Sequence, residues 1–104
     1  MKAEDAIERV IEILTREVQP DEVLLFGSRA KGTAHKGSDI DLAIVGGRKL
    51  SYRERRKMKE KIEDISGLYS VDIVFIEEVD KDFKELIRET GKVIYEKDRS
   101  DTRH

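Results

Sequence analysis

Gly27-Ser28-Arg29-Ala30-Lys31-Gly32-Thr33-Ala34-His35-Lys36-Gly37-Ser38-Asp39-Ile40-Asp41 is the stretch on which the reading of this chain turns. It begins where the apolar run Val23-Leu24-Leu25-Phe26 stops, and it ends inside a second run, Ile40-Asp41-Leu42-Ala43-Ile44-Val45. Both runs read as strands, short and apolar with a glycine after each. Side chains alternate along a strand, so Asp39 and Asp41 point to one side, about 6.6 Å apart along the chain. Ile40 and Leu42 take the other side. Two acids on an otherwise apolar strand need partners, because a buried carboxylate is stable only when paired or metal-bound.

The residue types upstream suggest what the acids serve. Gly27 permits close backbone approach. Ser28 adds a hydroxyl and an N–H, and a helical turn over residues 28 to 31 would turn free N–H groups toward an anion. Arg29 and Lys31 bring positive charge; they suit either a triphosphate or a solvated loop. Hard cations such as Mg²⁺ take one or two carboxylates together with substrate phosphates. The stretch reads as a phosphate cradle running into a metal-holding strand. Thr33, Gly37 and Ser38 are turn residues, and His35 and Lys36 lie in the loop between the two halves with no assigned role.

The pattern Gly-Ser, ten residues, then Asp-x-Asp resembles the signature of the DNA polymerase beta-like nucleotidyltransferase superfamily. The wording Gly-Ser-Arg-Ala-Lys-Gly-Thr-Ala through Ser-Asp-Ile-Asp-Leu is similar to its minimal nucleotidyltransferases, small proteins paired with HEPN-domain toxins in toxin–antitoxin systems. The resemblance spans nearly the whole chain, from the first helix to the last strand. It implies an α/β fold, a small mixed sheet flanked by helices that lie chiefly on one face. By match to the family pattern, Asp39 and Asp41 hold two Mg²⁺ ions, and Asp72 is the third carboxylate, completing the metal shell and helping to deprotonate an attacking hydroxyl. Gly27, Ser28, Arg29 and Lys31 are the expected nucleotide contacts. ATP is the implied substrate, and a tyrosine of a HEPN toxin the implied acceptor. The rival reading is a catalytically silent antitoxin that acts by occlusion.

Outward from the motif, Ala6, Ile7, Val10, Ile11, Leu14 and Val18 recur at helical spacing, predicting an amphipathic helix over 3–18. Gly46-Gly47 closes the second strand. Ser51 with Glu54 is a capping box opening a helix over 51–66, with Met58, Ile62 and Ile65 inward, Tyr52 at its head and Gly67 as the stop. Val71-Asp72-Ile73-Val74-Phe75-Ile76 is an apolar strand carrying one acid. Asp80 or Asp82 caps a short helix with Phe83, Leu86 and Ile87 inward, and Val93-Ile94-Tyr95 is a last strand. Tyr52, Tyr69 and Tyr95 are expected at the edge of the core. One domain over 1–96 is expected, with 97–104, including His104, as a frayed tail.

Composition bounds the rest. The 104 residues contain no Cys, which excludes a disulfide framework and a thiolate metal site. No apolar run nears the roughly 18 residues of a membrane span, and no signal-peptide pattern opens the chain, so a cytoplasmic protein away from membranes is expected. Charge is uneven: Arg48 to Lys61 holds eight bases against two acids, a local +6 in a chain of net −2. That helix is either a solvated face or a docking surface. Direct nucleic-acid binding is not expected, given the overall negative charge and few aromatics. The acceptor is expected to be brought by another protein, or to be a protein itself, because so small a chain has too little surface to enclose two substrates.

Overall fold

The structure, a computed structural model, describes residues 2–32 and 39–97. The expectations for Thr33, His35, Lys36, Gly37, Ser38 and the tail from 98 on, His104 included, lie outside the described residues.

The first helix, α1, spans Ala3–Glu17 and buries Ala6, Val10, Ile13 and Leu14. Its apolar stripe is wider than the three- and four-residue spacing implied: Ile13 joins the core, while Ile7 and Ile11 are only half-buried. Strand β1 (Glu22–Phe26) follows, then a single helical turn, α2 (Ser28–Lys31). Strand β2 (Ile40–Val45), helix α3 (Tyr52–Ile65) and strand β3 (Val71–Phe75) come next. A short 3-10 turn over Ile76–Glu78 leads to helix α4 (Lys81–Thr90) and strand β4 (Lys92–Glu96).

The caps explain where the later helices start. Ser51 accepts from the Glu54 N–H at 3.1 Å while Glu54 accepts from the Ser51 N–H at 2.8 Å, closing the capping box. Asp80, not Asp82, caps α4 by accepting from the Phe83 N–H at 2.8 Å.

The four strands lie in the order β3-β2-β1-β4. β1 pairs antiparallel with β2 and β4, and β2 pairs parallel with β3, so the sheet is mixed as expected. Val23, Leu25, Ile40, Leu42 and Ile44 pack on one face against α1 and α3 through Val10, Leu14, Met58 and Ile62. The other face carries a smaller cluster, Leu24, Ala43, Ile76 and Ile87, under α4. Two long helices thus share one face, and α4 together with Ile76 of the 3-10 turn covers part of the other. α4 is too short to bury all of its apolar stripe: Ile87 is sealed but Leu86 stays 49% exposed. Tyr69 and Tyr95 sit at the core edge as expected, whereas Tyr52 projects into solvent with 75% exposure. Tyr52 is the first residue of α3, and the guanidinium of Arg56 lies 5.9 Å from the centre of its ring.

Candidate active site

The partly covered face of the sheet is where the acids gather. Asp41 belongs to the row of β2 side chains that includes Ala43 and Val45, both part of the cluster with Ile76 and Ile87. Toward the start of β2 that cover runs out. The register then puts Phe26 of β1 on one side of Asp41 and Asp72 of β3 on the other. Neighbouring strands lie about 4.8 Å apart, so Asp41 and Asp72 are direct cross-strand neighbours. Asp39 stands one residue ahead of the strand on the same side. Phe26 meets Phe83 of α4 edge-on, ring centroids 5.8 Å apart, and the two rings wall the acids from the β1 side.

Partial burial, then the charges of Asp72 and Asp39 and a hydrogen bond shared with Asp72, raise the Asp41 carboxyl above its ordinary 3.8. That hydrogen bond needs a proton between two carboxyls, or a cation in its place. The acids are less buried than the strand pattern implied: Asp41 is half-buried, and Asp39 and Asp72 are exposed. β3 is an edge strand and α4 comes near the acids only on the β1 side, through Phe83, so solvent meets these side chains.

Opposite the acids, Gly27 turns the chain out of β1 at φ 77°. A side chain there would be doubly disfavoured, by that left-handed backbone and because a Cβ would fall onto Asp41 Oδ2. The glycine therefore lets the turn sit against the carboxylate. Ser28–Lys31 then make one helical turn, with the Lys31 N–H donating to Gly27 O at 3.2 Å. A single turn has little macrodipole; what it offers is backbone N–H groups, the Ser28 hydroxyl and the exposed Lys31. Gly32, at φ 76°, ends it.

Gly27, Ser28, Asp39, Asp41 and Asp72 are thus brought together, with Lys31 exposed on the same turn. Arg29 is placed differently: it is half-buried, with its guanidinium 5.4 Å from the centre of the Tyr69 ring. Tyr69 is a residue that sequence reasoning did not connect to the motif. It belongs to the loop between α3 and β3, whose Ser66 Oγ donates to Tyr69 O at 3.0 Å and whose Ser70 O accepts from the Ile40 N–H at 2.9 Å. That loop ties the motif's two halves to the strand bearing Asp72. The only hint in the sequence is position, three residues ahead of Asp72.

The donor set is all oxygen, which suits a hard cation, and the mutually repelling pair Asp41 and Asp72 is what such a cation relieves. Among the described residues no three His, Asp or Glu side chains close into a ready-made metal cage. Mg²⁺ does not require one, since phosphates and water complete its shell.

Residues 8–100 match the family described as polymerase beta, nucleotidyltransferase. The chain belongs to that nucleotidyltransferase family. It is 35% identical over 92 residues, 88% of this chain and 81% of the other, to the protein of Haemophilus influenzae named “probable protein adenylyltransferase MntA”. A solved minimal nucleotidyltransferase shares the fold at TM-score 0.70 and 25% identity, covering 88% of this chain and 95% of its own. A toxin–antitoxin complex with AMP-PNP superimposes at TM-score 0.73 and 24% identity, over 91% of this chain and 77% of that one. The Shewanella oneidensis complex of a tri-AMPylated HEPN toxin with its MNT antitoxin gives TM-score 0.70 at 19% identity, over 97% and 78%. The last two establish shared fold. No helix among the described residues of this nucleotidyltransferase is long and apolar enough to cross a membrane.

Proposed function

We propose that this chain is an adenylyltransferase and antitoxin, moving AMP from ATP to a hydroxyl, a tyrosine of a HEPN-domain toxin. The observation that carries the reading is the convergence of Asp39, Asp41 and Asp72 beside the Gly27-Ser28 turn. Gly27, Ser28 and Lys31 receive the β- and γ-phosphates, with Arg29 holding the turn from the Tyr69 side and adding its charge. Asp39, Asp41 and Asp72 hold the Mg²⁺, which when bound neutralises the phosphate oxygens and so favours in-line displacement. The acceptor oxygen attacks the α-phosphorus as the bond to the β-phosphate oxygen breaks. Pyrophosphate leaves, and the hydroxyl proton passes to Asp72. Positioning and charge neutralisation, rather than covalent help, carry such transfers. The MntA relative and the AMP-PNP and HEPN complexes support the nucleotide and the partner. The catalytic unit is taken as residues 1–96, and its compartment as the cytoplasm.

The test incubates the protein with Mg²⁺, ATP labelled at the α-phosphate and a HEPN partner. Label appears on the partner, and Asp39→Asn with Asp41→Asn abolishes it. Neutralisation of the toxin without label, unaffected by that double substitution, would establish occlusion instead.

A further inference from the structure

Strand β3 ends the sheet on one side, so its outer edge is unpaired among the described residues. Val71-Asp72-Ile73-Val74-Phe75 contains neither Lys nor Pro, the residues that commonly blunt a free edge. A groove of about 440 Å³ touches all five of these residues in succession and has α3 as its other wall. It therefore follows the strand axis, over about 17 Å for five extended residues. Its floor is apolar, from Met58, Ile62 and Ile73. Its charged lining is Arg55 and Lys59 on α3, Asp72 on β3 and Glu78 beyond it.

Arg55 is already engaged, 4.0 Å from the centre of the Phe75 ring and ion-paired with Glu78. Lys59 is exposed, and no carboxylate among the described residues pairs with it. The same holds for Arg53, Arg56 and Lys57, which lie on α3 outside the groove's lining. An open strand edge, an apolar floor and one base without an acid partner among the described residues, Lys59, thus run side by side. One end of the groove lies at Asp72, where the candidate site begins.

We infer that this groove receives an extended acidic segment of the acceptor protein, added as a further strand on β3, which brings the acceptor hydroxyl to the Asp72 end. The inference rests on the nucleotidyltransferase reading above. Strand addition satisfies the free backbone groups of β3, and every second side chain of the guest meets the apolar floor. Acidic residues of the guest face Lys59. An RNA strand would meet the same positive charge, but single strands are held by open aromatic platforms. The groove's one ring, Phe75, is covered by Arg55.

A random glutamate–tyrosine copolymer, acidic and rich in hydroxyls, is the probe. Amide hydrogen exchange of the full chain is followed with and without it, and labelled ATP with Mg²⁺ reports transfer in parallel. Added protection is expected within Val71–Phe75, with affinity at least tenfold weaker in Lys59→Glu and no binding of a lysine–tyrosine copolymer. Protection without transfer leaves the docking site standing and counts against tyrosine as acceptor. Transfer without protection of β3, equal binding by Lys59→Glu, or displacement of the copolymer from β3 by single-stranded RNA overturns the inference.

Discussion

Gly27 shows how one residue can set both stability and chemistry. Its φ of 77° and its closeness to Asp41 Oδ2 leave no place for a methyl group. Gly27→Ala is expected to cost about 1–3 kcal/mol, the usual range for enforced backbone strain, seen as a lower urea midpoint. Triphosphate uptake should fall with it, because the turn can relax only by moving away from the acid. Asp41 works in the opposite sense. Its carboxyl is raised by burial and by Asp72 and Asp39, so its charge opposes folding at neutral pH when no cation is bound. Asp41→Asn should therefore melt higher than the wild type in EDTA. Its transfer rate should fall about 10²–10³-fold, the loss typical when one preorganised electrostatic group is removed. Mg²⁺ should raise the melting temperature of the wild type but hardly that of Asp41→Asn, since a ligand stabilises only the state that binds it.

At the scale of the element, α3 was the most legible part of the sequence, because its signals are local. Ser51 and Glu54 mark its start and Gly67 its end, and each acts within a few residues of chain. Ser51→Ala is expected to cost about 1 kcal/mol, a fall in melting temperature of roughly 4–8 °C for a domain of this size. The same helix carries a pH dependence. The Ser51 N–H first, then Arg48, holds the Glu54 carboxyl below its ordinary 4.5, and Arg55 does the same for Glu78. Both folded values lie under the unfolded ones, so their contribution is present above pH 4.5 and is lost as the pH falls through the depressed values. Being exposed, the two carboxyls give a shallow slope, and Glu54→Gln should flatten it further in urea midpoints taken between pH 6 and pH 3. What stayed hidden depends on neighbours. Ile13 is buried because α1 packs into a core it shares with α3 and the sheet, and Leu86 is exposed because α4 enters its cluster with little more than Phe83 and Ile87. The juxtaposition of Asp41 and Asp72 needs β2 and β3 to run parallel in one register, and no local pattern states that.

For the molecule as a whole, the mixed sheet separates two tasks between its faces. One face is sealed by α1 and α3, and the basic side of α3 looks outward from it. The other is covered by α4 only in part, and the acids at the starts of β2 and β3 stay open to solvent away from Phe83. The charge asymmetry and the carboxylate pattern were both visible in the sequence, but their arrangement on the two faces was not, because it follows from which helices cross the sheet. An open site gives a nucleotide few enclosing contacts, so the isolated chain should bind ATP weakly even with Mg²⁺ present. On the proposed reading, a HEPN partner that presents its hydroxyl beside Asp72 would cover part of that opening and exclude water from the phosphates. Binding free energies are then coupled in both directions. The expected outcome is that partner and non-hydrolysable ATP analogue each strengthen the binding of the other by the same factor, about 5–150-fold for typical couplings. Calorimetric titrations run in either order measure it. Asp39→Asn with Asp41→Asn should reduce the factor to one while leaving binding of the partner alone intact. A factor of one in the wild type would mean that the partner settles away from the acids and restrains nothing there, which is occlusion without catalysis.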